Sequence, residues 1–121
     1  MAIIPFTTDI INGQQGMAVA TWSNLAGLDT GQPFPYSNLA DKTVQIFGTI
    51  GAAITIEGSN DPRVISDPDN AVWEVLHSNF SDALSFTTAG MALIAEAPRW
   101  IRPNCAVGIS NATVIILSNA S

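Results

Sequence analysis

Short runs of alternating apolar and polar residues, cut at intervals of roughly ten residues by Gly, Pro, Asn and Asp, set the tightest limit on what this chain can become. Val44 and Ile46 alternate with Thr43 and Gln45. After Gly48 and Gly51 the same beat returns, with Ile54 and Ile56 against Thr55 and Glu57. Side chains on a strand point to opposite faces in turn, so each run has one face to bury and one to wet. The two runs predict a β-hairpin, with the glycines freeing the turn or a bulge. A strand is also expected from Met17 to Leu25, followed by a loop rich in Gly and Pro. Val72 to His77 reads as a strand with Trp73 and Val75 inward, and Leu84 to Thr87 as another short one. Met91, Ile94 and Ala95 fall at helical spacing, which predicts two helical turns over Ala89 to Ala97, stopped by Pro98. Arg99 to Val107 is expected to be a strand in which Pro103 implies a sheet edge or a bulge. Together these elements predict an all-β chain, a single antiparallel β-sandwich or barrel with at most one short helix.

Residues 1–16 read as an N-terminal arm and 17–121 as the sandwich domain. Ile3, Ile4, Phe6, Ile10 and Ile11 make the arm too apolar to be left in water. It packs across its own domain or a neighbour's, or forms a first strand of the domain's own core.

The last strand, Ala112 to Leu117, carries Thr113, Ile115 and Leu117 on one face and Val114 and Ile116 on the other. Both faces are apolar, so one lies on the core and the second is expected to be covered by something else. Composition points the same way: charged residues are 12% of the chain, against about 25% in ordinary globular domains. Such a surface is poorly solvated, and copies of the chain or a partner are expected to cover part of it.

Ten carboxylates stand against Lys42, Arg63, Arg99 and Arg102, for a net charge of −6. Four scattered cations do not make the basic patch that phosphate or an anionic membrane surface requires, so neither nucleic acid nor membrane is expected as a partner. Cys105 is the only cysteine, which rules out an intrachain disulfide and fits synthesis in a cytoplasm. The apolar run at the N-terminus is too short for a secretion leader, and no 18-residue apolar stretch occurs.

Little in the sequence resembles a catalytic constellation. His77 is the only histidine, no Gly-x-Ser-x-Gly occurs, and Cys105 lies in an apolar stretch. One His and one Cys cannot supply the four ligands of a structural zinc. Asp61, Asp67, Asp69 and Asn70 crowd one loop, but their spacing is not that of a calcium loop and suits turn formation. No glycine-rich phosphate cradle is present. The expectation is no enzyme activity, no cofactor and no metal. The distinctive run is Arg99 to Pro103, where a strand would place Trp100 and Arg102 on one side. Either they form an interface, or Trp100 is core and the arginines pair with local carboxylates. The candidate partner-binding residues are therefore Ile3, Ile4, Phe6, Ile10, Ile11, Arg99, Trp100, Arg102, Val114 and Ile116.

The succession Val44 to Asp61, Trp73 to Leu76, Leu84 to Gly90 and Pro98 to Pro103 resembles small tailed-phage virion proteins of the decoration, or cement, type. The resemblance spans roughly residues 43–118. It implies a jelly-roll-like β-sandwich on the capsid exterior that clamps neighbouring major capsid subunits and stabilises the expanded shell. It also implies self-assembly, with a homotrimer favoured over a dimer. The alternative is a carbohydrate- or receptor-binding sandwich of a tail fibre or surface protein, with Trp22, Trp73 or Trp100 stacking on sugar rings. A third reading, a small hydrolase, needs His77 beside a nucleophile.

Overall fold

A computed structural model describes residues 2–9, 17–35, 41–109 and 111–119. The strands are β1 (Ile3–Ile4), β2 (Thr7–Asp9), β3 (Met17–Leu25), β4 (Thr30–Gly31), β5 (Asp41–Thr49), β6 (Ile54–Ser59), β7 (Glu74–Val75), β8 (Ser85–Phe86), β9 (Gly90–Ile94), β10 (Trp100–Cys105) and β11 (Asn111–Asn119). They form two facing sheets. One runs β2-β3-β11-β5-β9; the other runs β1-β4-β10-β6-β7, with β8 also on β6. From β3 onward the chain crosses between the sheets at each step except from β6 to β7 and β8, which pair with β6 in the same sheet, and this is the path of a jelly roll. The chain is thus an all-β sandwich, antiparallel apart from the parallel pair β1–β4.

Alternation explains the interior. Val44 and Ile46 of β5, Ile54 and Ile56 of β6, Ile101 and Cys105 of β10, and Ala112, Val114 and Ile116 of β11 all point inward and are buried. Trp22 and Phe34 anchor one end of this core, and Phe6 stands edge-on to both, with ring centroids 5.9 Å and 5.4 Å away. Close packing there demands Gly31: a Cβ would lie 2.4 Å from the Pro103 ring and 2.6 Å from Trp22 Nε1. The Trp22 indole N–H donates to the Gln32 carbonyl at 3.1 Å, so its polar edge is satisfied.

The described part of the arm lies on its own domain. β1 runs beside β4, with the Thr30 N–H donating to the Ala2 carbonyl and the Gln32 N–H to that of Ile4. β2 runs beside β3 on the other sheet. Residues 2–9 therefore bridge the same edge of both sheets, and Phe6 closes the gap between them.

Two expectations are corrected, and a third is narrowed to one of its alternatives. The Ala89–Ala97 helix is instead the strand β9, because Ala92 and Ile94 turn inward while Met91 and Leu93 turn out, a period of two that pairs with β5. The four-residue helix α1 (Arg63–Ser66) and a 3-10 turn at Pro68–Asn70 occupy the loop between β6 and β7. β5 and β6 are not a hairpin: they belong to opposite sheets, and residues 50–53 arch across the sandwich between them. Pro103 is not on an edge, since β10 lies between β4 and β6. The bulge alternative is the one realised. Between Thr30 and Phe34 the neighbouring segment has one residue more than β10 has between Ile101 and Asn104. Ile101 and Cys105 donate to the carbonyls of Phe34 and Asp29 on that side, and the N–H that proline lacks would point into the irregular stretch between them.

Candidate interaction surface

The outward side of the β3-β11-β5-β9 sheet is built from registered rows. Thr21, Ile115, Gln45 and Met91 lie across from one another, and so do Val19, Leu117, Thr43 and Leu93; Thr113 and Phe47 follow. Met91 is 64% exposed, Leu93 47% and Phe47 42%, while Ile115 and Leu117 are half-buried. None of these ten residues is ionisable. Among the described residues, acidic positions in register with the face occur only at its margins, Asp9 on the edge strand β2 and Asp41 at the start of β5. Val114 and Ile116, expected as partner-binding, are fully buried inside the sandwich, so in the single chain they offer no surface. The apolar second side of β11 belongs to Ile115 and Leu117.

The opposite sheet is a charged face. Trp100, Arg102 and Asn104 project outward from β10 beside Thr55, Glu57 and Ser59 of β6, as alternation requires. Arg102 Nε donates to Glu57 Oε1 at 3.1 Å, and Asn104 Nδ2 to Glu57 Oε2 at 3.3 Å. The Arg102 guanidinium lies 4.0 Å from the centroid of Trp73, and that of Arg99 lies 4.4 Å from Trp100. Trp100 is 5% exposed, yet stands apart from the main core cluster. Sequence reasoning thus found the shared side of Trp100 and Arg102. What occupies them is internal, a buried indole and an arginine engaged by Glu57 and Trp73. Of the arm residues, Ile3 is 63% exposed, Ile4 and Phe6 pack against the core, and Ile10 and Ile11 lie outside the described residues.

The titratable groups are similarly engaged. His77 Nδ1 lies 2.7 Å from Glu96 Oε2, and the His77 backbone N–H donates to Glu96 Oε1 at 2.8 Å. Burial opposes ionisation of Glu96, but these bonds outweigh it and hold its carboxyl below the usual range. The Arg63 side chain and the Arg63 and Val72 N–H groups hold Asp61 well below that range, so its oxygens are already taken. Asp67 accepts from the Asn70 amide. Burial, helped by Asp29, pushes the Cys105 thiol up to about 11, which makes it a poor nucleophile. Lys42, counted from the sequence only among four scattered cations, points inward and is 2% exposed. Burial lowers its pKa, against the opposing charges of Asp41 and Glu96. The period-two register of β5 carried that signal, since Lys42 shares the face of Val44 and Ile46.

No protein-family model and no curated protein matches this chain. Solved structures with a similar fold include a cupin domain from Bordetella pertussis Tohama I, 8% identical at a TM-score of 0.47 over 100% of this chain and 99% of that one. A protein from Neisseria meningitidis is 11% identical at 0.38, over 93% and 82% of the two chains. Fe(II) HppE in complex with substrate is 8% identical at 0.45, over 93% of this chain and 52% of that one. The expectation of no enzyme activity is corrected by these findings: structures of similar fold include an Fe(II) protein that binds a substrate, so an all-β sandwich gives no ground for excluding catalysis. At such identities the likeness is one of fold, and no activity passes from those proteins to this chain. The described residues bring no ligand set for an iron together. Among the described residues no three of His, Cys, Asp and Glu gather where an ion could sit, and the interior positions around Trp22, Phe34 and Ile101 are hydrocarbon.

Proposed function

We propose that this chain is a virion structural protein that binds the outside of a phage capsid, clamps neighbouring major capsid subunits and stabilises the expanded shell. The observation that carries the reading is the two-sided surface: one sheet presents the Arg102–Glu57 pair and polar groups outward, and the other presents a largely apolar face with acidic residues only at its margins. Exposed apolar patches of that kind mark protein contacts. The sequence resemblance over roughly residues 43–118 supplies the kind of contact. A stiff, closed sandwich with its arm pinned across both sheet edges suits a part that must hold a fixed spacing between shell subunits. The sugar-binding alternative loses support, because Trp22 and Trp100 are buried and Arg102 lies over the ring of half-buried Trp73.

Co-sedimentation of the purified chain with expanded and unexpanded shells tests the reading. Saturable binding to the expanded form alone is the expected outcome; binding to neither form removes the proposal.

A further inference from the structure

We infer that the free edge of β9 is a strand-addition site: an extended segment of another protein, with a basic residue among alternating apolar ones, docks beside Gly90–Ile94 and lengthens the β2-β3-β11-β5-β9 sheet by one strand. The inference deepens the reading of the chain as a capsid-binding protein, on which the segment belongs to a shell subunit. It concerns the rim of that sheet, where the apolar face ends.

The main chain selects the kind of ligand. β9 is the last strand of its sheet and pairs with β5 on one side. Just beyond it, the Ala95 N–H donates to the His77 carbonyl, on the side away from β5. Exposure alternates without a break from Met91 to Ala95. The N–H and C=O groups of Met91 and Leu93 therefore point to that same side, at intervals of about 7 Å. Among the described residues no strand or turn meets them there. Such a row is a template for a further strand, so edges are ordinarily guarded by charge, proline or a bulge. The opposite edge of this sheet has Asp9 on β2. The run Gly-Met-Ala-Leu-Ile of β9 has neither charge nor proline, and it pairs with β5 in unbroken register.

Space and charge narrow the choice. A groove of about 780 Å³ runs along this edge, walled on its far side by residues 78–86. Both the outward Met91 and Leu93 and the inward-turned Ala92 border it, so it follows the rim and not one face. The far wall is folded on itself, the Ser78 N–H donating to the Asp82 carbonyl and the Ser81 N–H to the Ser78 carbonyl. Exposed Phe80 and half-buried Phe86 make that wall apolar. Asp82 is the charged residue on the groove, and among the described residues no ion pair reaches it. An extended backbone offers donors and acceptors at the spacing of β9, its alternate apolar side chains suit Phe80 and Leu93, and a lysine or arginine answers Asp82. A second copy of this chain would bring its uncharged β9 edge and another Asp82 in place of that cation.

The test titrates isotope-labelled full chain with a synthetic probe peptide of alternating valine and threonine around a central lysine, following amide exchange by NMR. Exchange at Met91 and Leu93 is expected to slow as the peptide saturates, while exchange on β2 stays as it was. Glutamate in place of the peptide's lysine should weaken binding roughly threefold, a difference that disappears in Asp82→Asn. Leu93→Pro removes one outward donor and leaves the β5 ladder intact, as proline can on an edge. It should bind the peptide about tenfold more weakly than Leu93→Ala does. Unchanged exchange at both amides in the parent chain, or Leu93→Pro binding like Leu93→Ala, overturns the inference. Doubling of mass in sedimentation equilibrium, with the same two amides protected before peptide is added, gives the edge to a second copy and also overturns it. Expanded shells separate the inference from the cement reading. Full shell binding by Leu93→Pro removes strand addition by a shell subunit and leaves the cement reading standing. Protection by the peptide with no shell binding removes the cement reading and leaves the strand-addition site.

Discussion

Ile115 and Ile116 are neighbours in sequence with opposite fates. Ile116 is fully buried between the sheets, and Ile115 is half-buried on the outward face. Truncating a buried isoleucine removes transfer free energy and leaves a cavity, so Ile116→Ala is expected to lower stability by about 2–5 kcal/mol. Ile115→Ala removes side-chain atoms that water already reaches in part, and should cost about 1 kcal/mol or less. Urea denaturation of the two variants measures the difference; a larger loss for Ile115→Ala than for Ile116→Ala would show that the face assignment of β11 is reversed. Sequence showed that both sides of this strand are apolar. It could not show which side turns in, because that depends on what β3 and β5 place opposite each residue.

Among the elements, β4 and β10 show how far a local pattern reaches. Gly31 lies against the Pro103 ring and the Trp22 indole, both in the interior. Gly31→Ala would force a methyl group into that contact, and overpacking of this kind costs about 1–3 kcal/mol. Thermal denaturation should show the loss, whereas Gly90→Ala, whose new Cβ would meet the Phe86 ring at an ordinary 3.7 Å, should be much milder. Equal effects would mean that the close approach of β4 to β10 is absent. Pro103 was legible as a bulge or an edge, and the choice between them was made by β4, a partner distant in sequence. β9 was misread because Met91, Ile94 and Ala95 satisfy helical spacing as well as strand alternation does over so short a run. Pairing with β5 decided for the strand.

Over the whole molecule the acid limb of stability follows from Asp61 and Glu96. Both carboxyls are held below the usual carboxylate range, Asp61 chiefly by the Arg63 side chain. For Glu96, bonds from His77 overcome the cost of burial. The folded state therefore binds fewer protons than the unfolded chain as pH falls through about 4. Their contribution is present above that range and is lost below it. The urea midpoint should hold steady above about pH 5 and fall below about pH 4, with a shallower fall in Asp61→Asn and Glu96→Gln; an unchanged slope in both variants would remove this account. The sequence by itself determined the all-β class, most strand positions, the shared side of Trp100 and Arg102, and the shortage of charge. Each of these depends on alternation or composition within a few residues. Only the tertiary structure decided that β5 and β6 part to opposite sheets and that Val114 and Ile116 turn inward. It also paired Arg102 with Glu57 on the outer side of one sheet and set uncharged residues across the middle of the other. The physical reason is that sheet membership and facing are set by hydrogen-bonded partners far along the chain, and a period of two is the same whichever way its apolar side turns.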